Sequence, residues 1–249
     1  MCLIVVGWRV HPDYPLVVAA NRDEFYARPS VDAGRWPEAP RIIGGIDREA
    51  GGTWLGIAEN GRFAAVTNVR EPGVPQGERS RGHLPRDFLL GDETAESFGG
   101  RIDGSLYSGF NLLLGDGQTL VYCSNRTATP TRLEPGVYGL SNHRLDTPWP
   151  KLVKARQRFA AALEQLPDET AFFALLADQA IEADDKLPQT GVPLAWERRL
   201  SAVFVQSENY GTRASTLAWQ RRDGAVRLHE RRFGPYGQPL QSSLISTAE

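Results

Sequence analysis

The residue with the clearest chemical potential is Cys2, directly after the initiator methionine. Its side chain is small enough for routine methionine removal, which would make Cys2 the first residue of the mature chain. An N-terminal cysteine carries nucleophile and base together, because its own α-amine, titrating at about 7.7–8.0, accepts the thiol proton. A second cluster, Asn21-Arg22-Asp23-Glu24, follows the apolar run Leu16 to Ala20. Strand ends are where a scaffold presents reactive side chains. There an arginine beside a thiol favours thiolate, and a carboxylate holds an ammonium. Asp23 and Glu24 are adjacent, so in an extended segment they point to opposite faces and do not share a proton.

The elements that must position these residues read first as short strands. Leu3 to Val10 and Leu16 to Ala20 are apolar and β-branched, joined by a turn at His11 to Pro15. Trp54 to Glu59 and Arg62 to Val69 flank Asn60-Gly61, a strong hairpin signal. Phe110 to Leu114 and Thr119 to Ser124 bracket Gly115-Asp116-Gly117, and Gly136 to Leu140 reads as a further strand. Glu71 to Gly77 is an exposed loop, and Leu84 to Leu90 is helical. From Pro148 the period changes: Leu152, Phe159, Leu163 and Leu166 fall at helical spacing until Pro167. A second helix runs from Asp168 or Thr170 to about Ile181. Ser201 to Gln206, Arg213 to Gln220 and Ala225 to Phe233 return to strands, the last two joined across Asp223-Gly224. Strands, a helix pair and strands again, with many hairpins, predict one α+β domain over residues 1–249, with two mainly antiparallel sheets packed together and helices outside.

The chain has 249 residues, of which 41% are hydrophobic and 23% charged, enough to bury a core. Its formal net charge of -2 argues against a protein that grips nucleic acid phosphates. The two cysteines make no disulfide framework, and no continuously apolar stretch is long enough for a membrane span. The expected compartment is the cytosol, with both thiols free. No zinc spacing, Cys-x-x-Cys-His or phosphate-binding glycine loop occurs, so no metal and no required cofactor is expected. Cys123, on an apolar strand, reads as a small core residue, and Trp54 and Trp149 as walls of a pocket or of the core.

The order of several short motifs is more specific than any one of them. Met1-Cys2, Asn21-Arg22-Asp23-Glu24, Gly51-Gly52-Thr53-Trp54-Leu55-Gly56, Thr67-Asn68-Val69-Arg70, Gly109-Phe110-Asn111-Leu112-Leu113, Gly139-Leu140-Ser141-Asn142 and Tyr210-Gly211-Thr212-Arg213 together resemble the NRDE, or Transport and Golgi Organization 2, family across nearly the whole chain. That family is similar in sequence order to N-terminal-nucleophile hydrolases, which implies a four-layer αββα sandwich. The hydrolase relatives it resembles, penicillin V acylases and bile salt hydrolases, use an N-terminal cysteine, an arginine, an aspartate, two asparagines and a late arginine. Carried over, these imply Cys2, Arg22, Asn68, Asn142 and Arg213. The aspartate's position, three residues beyond the arginine, is Phe25 here, so the acidic role passes to Asp23 or Glu24. Asn21, Glu24, Trp54 and His143 are the expected ligand-contacting residues.

Two functions follow from the resemblance. One is a hydrolase-like protein acting on a small amide or thioester, with Cys2 attacking and the asparagines polarising the carbonyl. The other is a non-catalytic carrier using the same cleft for haem or an acyl-CoA or lipid, with Arg22 or Arg213 pairing the ligand's acid and haem present only as transported ligand.

Overall fold

The computed structural model describes residues 2–247, and of Cys2 the backbone only. Met1 and the Cys2 thiol and α-amine therefore lie outside the described residues.

Elements are numbered in chain order. Among the described residues the first sheet has the strand order β10 (Gly136–Leu140), β1 (Cys2–Trp8), β2 (Leu16–Phe25), β11 (Tyr210–Gln220), β12 (Val226–Phe233) and β13 (Pro239–Ser246). The second has β3 (Ser30–Trp36), β4 (Ala39–Asp47), β5 (Leu55–Ala58), β6 (Arg62–Asn68), β7 (Phe110–Asp116), β8 (Leu120–Ser124) and β9 (Thr131–Arg132). Every ladder is antiparallel.

The period-2 alternation of each strand feeds two different cores. Ile4, Val6, Val18 and Ala20 of the first sheet meet Ile43, Ile57, Phe63, Ala65 and Leu113 of the second, forming the layer between the sheets. The alternate residues Leu3, Val5, Val17, Ala19 and Leu217 pack outward on α3 (Pro150–Leu163) and α4 (Thr170–Leu176). On the far side, Ile42, Ala64, Leu112 and Val121 pack on α1 (His83–Leu90) and α2 (Ala95–Gly100). The order is helices, sheet, sheet, helices, as expected. Because helices cover both sheets, strands such as β2 have no solvent face, and Leu16 to Ala20 reads as an unbroken apolar run.

Several boundaries differ from the sequence reading. Ser201 to Gln206 forms no strand. Its backbone groups are consumed by loops and side chains: the Val203 carbonyl accepts from Asn21, Phe204 donates to the Asp178 carbonyl, and the Val205 N–H donates to Thr212 Oγ1. The α4 helix ends at Leu176 rather than near Ile181, because Asp178 accepts from the Ala180 N–H, a local bond that competes with a further helical turn. The strands β3 and β4 were not anticipated. Gly34, Gly44 and Gly45 and two register shifts break the alternation that marks a strand. The strand β13 and the helices α2 and α5 (Leu194–Leu200) were likewise unforeseen. Among the described residues no helix is long and apolar enough to cross a membrane.

The layer between the sheets contains one carboxylic acid with little access to water. Glu230 of β12 is 1% exposed; Oε1 accepts from the Ala33 N–H at 2.9 Å and Oε2 from the Thr216 hydroxyl at 3.4 Å. Burial pushes its pKa up from 4.5 to about 7, against the pull of Arg22. A carboxyl whose pKa is raised by folding contributes full stability below its unfolded value and loses it as the pH climbs through the folded one. Replacing it by the neutral isostere, Glu230→Gln, is therefore expected to leave stability unchanged below pH 4.5 and to raise it by about 3 kcal/mol above pH 7. Urea unfolding at several pH values measures this, and parallel pH profiles for the two proteins would refute it.

Candidate functional site

The polar run Asn21 to Glu24 occupies the end of β2, with β1 on one side and β11 on the other. The β1–β2 register sets the Cys2 backbone opposite Arg22. On the other side, Asp23 opposes Thr212 and Arg22 opposes Ala214, so Arg213 is the extra residue of a β-bulge. A cleft of about 130 Å³ opens here, with Arg22, Asp23, Glu24, Trp54, Thr67 and Asn68 in its walls.

Arg22 is buried at the seam between the sheets. Its guanidinium lies 4.2 Å from the centre of the Trp54 ring and 3.7 Å from the Asp47 carboxylate, which β4 of the opposite sheet supplies. Asp47 also takes a hydrogen bond from Arg28 at 2.7 Å and one from the Ala50 N–H. Burial alone would raise the Asp47 pKa, but the Arg28 bond, the backbone donor and the two guanidinium charges hold it below the usual carboxylate range. Trp54 reaches Arg22 only because Gly45 has no side chain: a Cβ there would sit 2.0 Å from the indole ring.

Asp23 and Glu24 have separate environments. Asp23 is 2% exposed, and its Oδ1 accepts from the Thr212 hydroxyl at 2.7 Å. Burial pushes its carboxyl above the usual range, opposed by the charge of Lys151, the Thr212 bond and the charge of Arg70. Glu24 is half-buried and accepts from the Phe25 N–H at 2.8 Å. Phe25, where the resemblance would put the hydrolases' aspartate, is exposed and packs edge-on against Tyr210 at 5.1 Å.

The two asparagines meet, but they are not equivalent. Asn68 ends β6 and lines the cleft. Asn142, fully buried in the loop after β10, donates to Asn68 Oδ1 at 2.9 Å and to the Asn68 carbonyl at 3.2 Å, while its own carbonyl accepts from the Arg70 N–H at 2.8 Å. The same loop is fixed to the second sheet by Thr67 Oγ1 donating to the Ser141 carbonyl and by Asn111 Nδ2 donating to the His143 carbonyl. Asn142 therefore stands behind Asn68 as its brace.

Three expected residues sit elsewhere. Asn21 turns its amide toward the helical layer, donating to the Leu176 and Val203 carbonyls and accepting from Ser215, so it does not reach the cleft. His143 is exposed and lines a neighbouring hollow of about 530 Å³ with Arg70, Glu71, Arg126 and Trp149. Arg213 braces the turn below the cleft, donating to the Phe25 and Arg28 carbonyls. Burial and then the Arg22 charge hold its pKa below that of a free guanidinium. Asp47, Arg28 and Thr212 join the site without having been identified. No residue-type signal marks them: Asp47 follows an apolar stretch with two glycines, and only the packing of the sheets brings it to Arg22. Cys123 is a core thiol on β8, pushed up to about 12 by burial.

Residues 1–235 match the family described as Transport and Golgi organisation 2. The Transport and Golgi organization protein 2 homolog of Bos taurus is 38% identical, over 87% of each chain. Among solved structures, the Caenorhabditis elegans N-acylethanolamine-hydrolyzing acid amidase ortholog superposes with a TM-score of 0.52 at 14% identity, over 87% of this chain and 92% of that one. A mutant conjugated bile acid hydrolase of Clostridium perfringens gives 0.52 at 9% identity, over 99% and 92%. The two sheets and outer helices are thus an N-terminal-nucleophile hydrolase fold.

The unequal roles of the asparagines separate in stability measurements. Asn142→Ala strips the Asn68 carbonyl and amide oxygens of a buried donor and is expected to cost about 1–3 kcal/mol in urea unfolding. Asn68→Ala keeps its backbone acceptor, borders the cleft, and is expected to cost less than about 1 kcal/mol. Equal losses would contradict this division.

Proposed function

We propose that this chain, which belongs to the Transport and Golgi organisation 2 family, works as a cysteine N-terminal-nucleophile hydrolase on a small amide or thioester. The reading rests on one observation: Arg22 and Asp23, next to the strand that starts at Cys2, share a cleft with Asn68 from the opposite sheet. After removal of Met1, the Cys2 thiol would attack the acyl carbon and pass its proton to its own α-amine. Asn68 would hold the developing oxyanion, braced by Asn142. Arg22 favours thiolate, and Asp23, in its buried pocket with Thr212, is the acid placed to orient the ammonium. The cleft volume of about 130 Å³ is below the roughly 300–1,000 Å³ of sites that enclose a drug-sized ligand, which favours a small acyl group over a large one.

A second reading, binding and trafficking of haem or an acyl-CoA or lipid, is favoured by the arginines along the cleft. Arg22, Arg28 and Arg81 line it, and the adjoining larger hollow adds Arg70, Arg126 and Arg144. Under that reading haemin gives a saturable Soret shift that weakens in Arg22→Ala, whereas a titration identical to that of a control protein counts against it.

For the hydrolase reading, protein from its native host should have an intact mass lacking Met1, and retention of Met1 would remove the free-amine mechanism. Against a panel of small N-acyl amides and thioesters, Cys2→Ala should abolish turnover. Asn68→Ala should lower kcat by about 10²–10³. Turnover that survives Cys2→Ala intact overturns the assignment.

A further inference from the structure

The outer face of the first sheet holds a second group of residues with nucleophilic chemistry, apart from the cleft. His229 of β12 has Nδ1 2.5 Å from Glu169 Oε2 and Nε2 2.9 Å from the hydroxyl of Ser242 on β13. A carboxylate only accepts, so Nδ1 donates to Glu169, and Nε2 is the ring nitrogen that faces Ser242, an acceptor for the hydroxyl in the tautomer that leaves Nε2 unprotonated. Glu169 precedes α4 and is well sheltered, as is His229, with side-chain exposures of 14% and 17%. Burial would raise the Glu169 pKa, but the His229 bond and the charges of Arg227, His229 and Arg231 keep it below the ordinary value. The imidazole is further held edge-on to Phe173, at 4.7 Å, and the Arg231 guanidinium lies over the Phe173 ring, 3.7 Å from its centre. An oriented base against an exposed hydroxyl is the arrangement that activates a serine.

We propose that Ser242 is a nucleophile for small activated acyl esters, with His229 as its base and Glu169 positioning the ring. The surroundings indicate the substrate class. Leu240, Ser242 and Leu244 alternate on one face of β13, and the two leucines are 55% and 52% exposed on either side of the hydroxyl. They form an apolar seat for a short aliphatic acyl chain. Because β13 is the edge strand, alternate backbone N–H groups face away from the ladder, available to an acyl oxyanion. At rest the Ser242 proton has two acceptors, His229 Nε2 and the Glu230 carbonyl at 3.1 Å. In the reaction it passes to Nε2 while Oγ bonds to the acyl carbon and the ester's C–O bond breaks, releasing the alkoxide or phenolate. Water then cleaves the acyl-serine to the carboxylate and free hydroxyl, and the proton on His229 returns to solvent.

The test uses the full chain as the Cys2→Ala variant, so that the cleft nucleophile contributes nothing. A fluorophosphonate reporter, followed by peptide mass spectrometry, is expected to mark Ser242, and p-nitrophenyl butyrate to be turned over faster than the acetate. Ser242→Ala, which removes only an exposed hydroxyl, should abolish both signals without changing the thermal melt. His229→Asn should slow labelling at least tenfold. Glu169→Gln removes the carboxylate that orients Nδ1–H and should slow labelling several-fold, while Glu169→Asp restores part of the rate at the same thermal melt, a rescue that a merely structural role would not give. Absence of label on Ser242, or equal labelling rates in the parent and His229→Asn, overturns the proposal and leaves the reading of the Cys2 cleft untouched.

Discussion

A guanidinium enclosed between two sheets must find its counter-charge inside the protein, because several kcal/mol of hydration are lost on burial. Arg22 is that group here. Its own strand offers no carboxylate on the same side that reaches it; the acid at 3.7 Å comes from Asp47 of the other sheet, and the flat partner comes from Trp54. Satisfying Arg22 therefore ties β2 to β4 and to the segment before β5. The same joint determines Gly45, where the indole leaves no room for a Cβ. The charge that conditions the cleft and the contact that seals the sheets at that end are one interaction.

The opposite wall depends on neutral hydrogen bonds instead. Thr67, Asn68 and Asn111 of the second sheet hold the loop that follows β10 of the first, through Ser141, Asn142 and His143. Each bond uses a buried backbone carbonyl or amide that would otherwise be costly to leave unpaired. The cleft lies between an ionic seam and an amide seam. Polar groups of both walls are already paired within the protein, which fixes their positions.

Much of the frame was legible from local chemistry. Asn60-Gly61 and Asp223-Gly224 mark hairpins because the glycine accepts the left-handed backbone of the turn, with φ of +83° at Gly61 and +90° at Gly224, and those hairpins are present as β5–β6 and β11–β12. The α3 helix was legible from its apolar stripe. The β3 and β4 strands were not, since their glycines and register shifts erase alternation, and neither was β13, whose exposed polar and apolar residues follow no buried pattern. Ser201 to Gln206 misled for the opposite reason. Val203, Phe204 and Val205 are buried like strand residues, yet their backbone partners are scattered over Asn21, Asp178 and Thr212.

For the site, the sequence by itself determined which residue types stand at which strand ends: a cysteine at the start of β1, a polar run closing β2 and an asparagine closing β6. These follow from local order, because a strand's register and direction carry its terminal side chains with it. Only the tertiary structure decided which of them share a cleft. It moved Asn21 to the helical side, His143 to the neighbouring hollow and Arg213 to the turn beneath. It also brought in Asp47, Arg28 and Thr212. The reason is that a buried charge or amide is satisfied by whatever group the packing of layers brings within about 3–4 Å, and that distance is unrelated to separation along the chain.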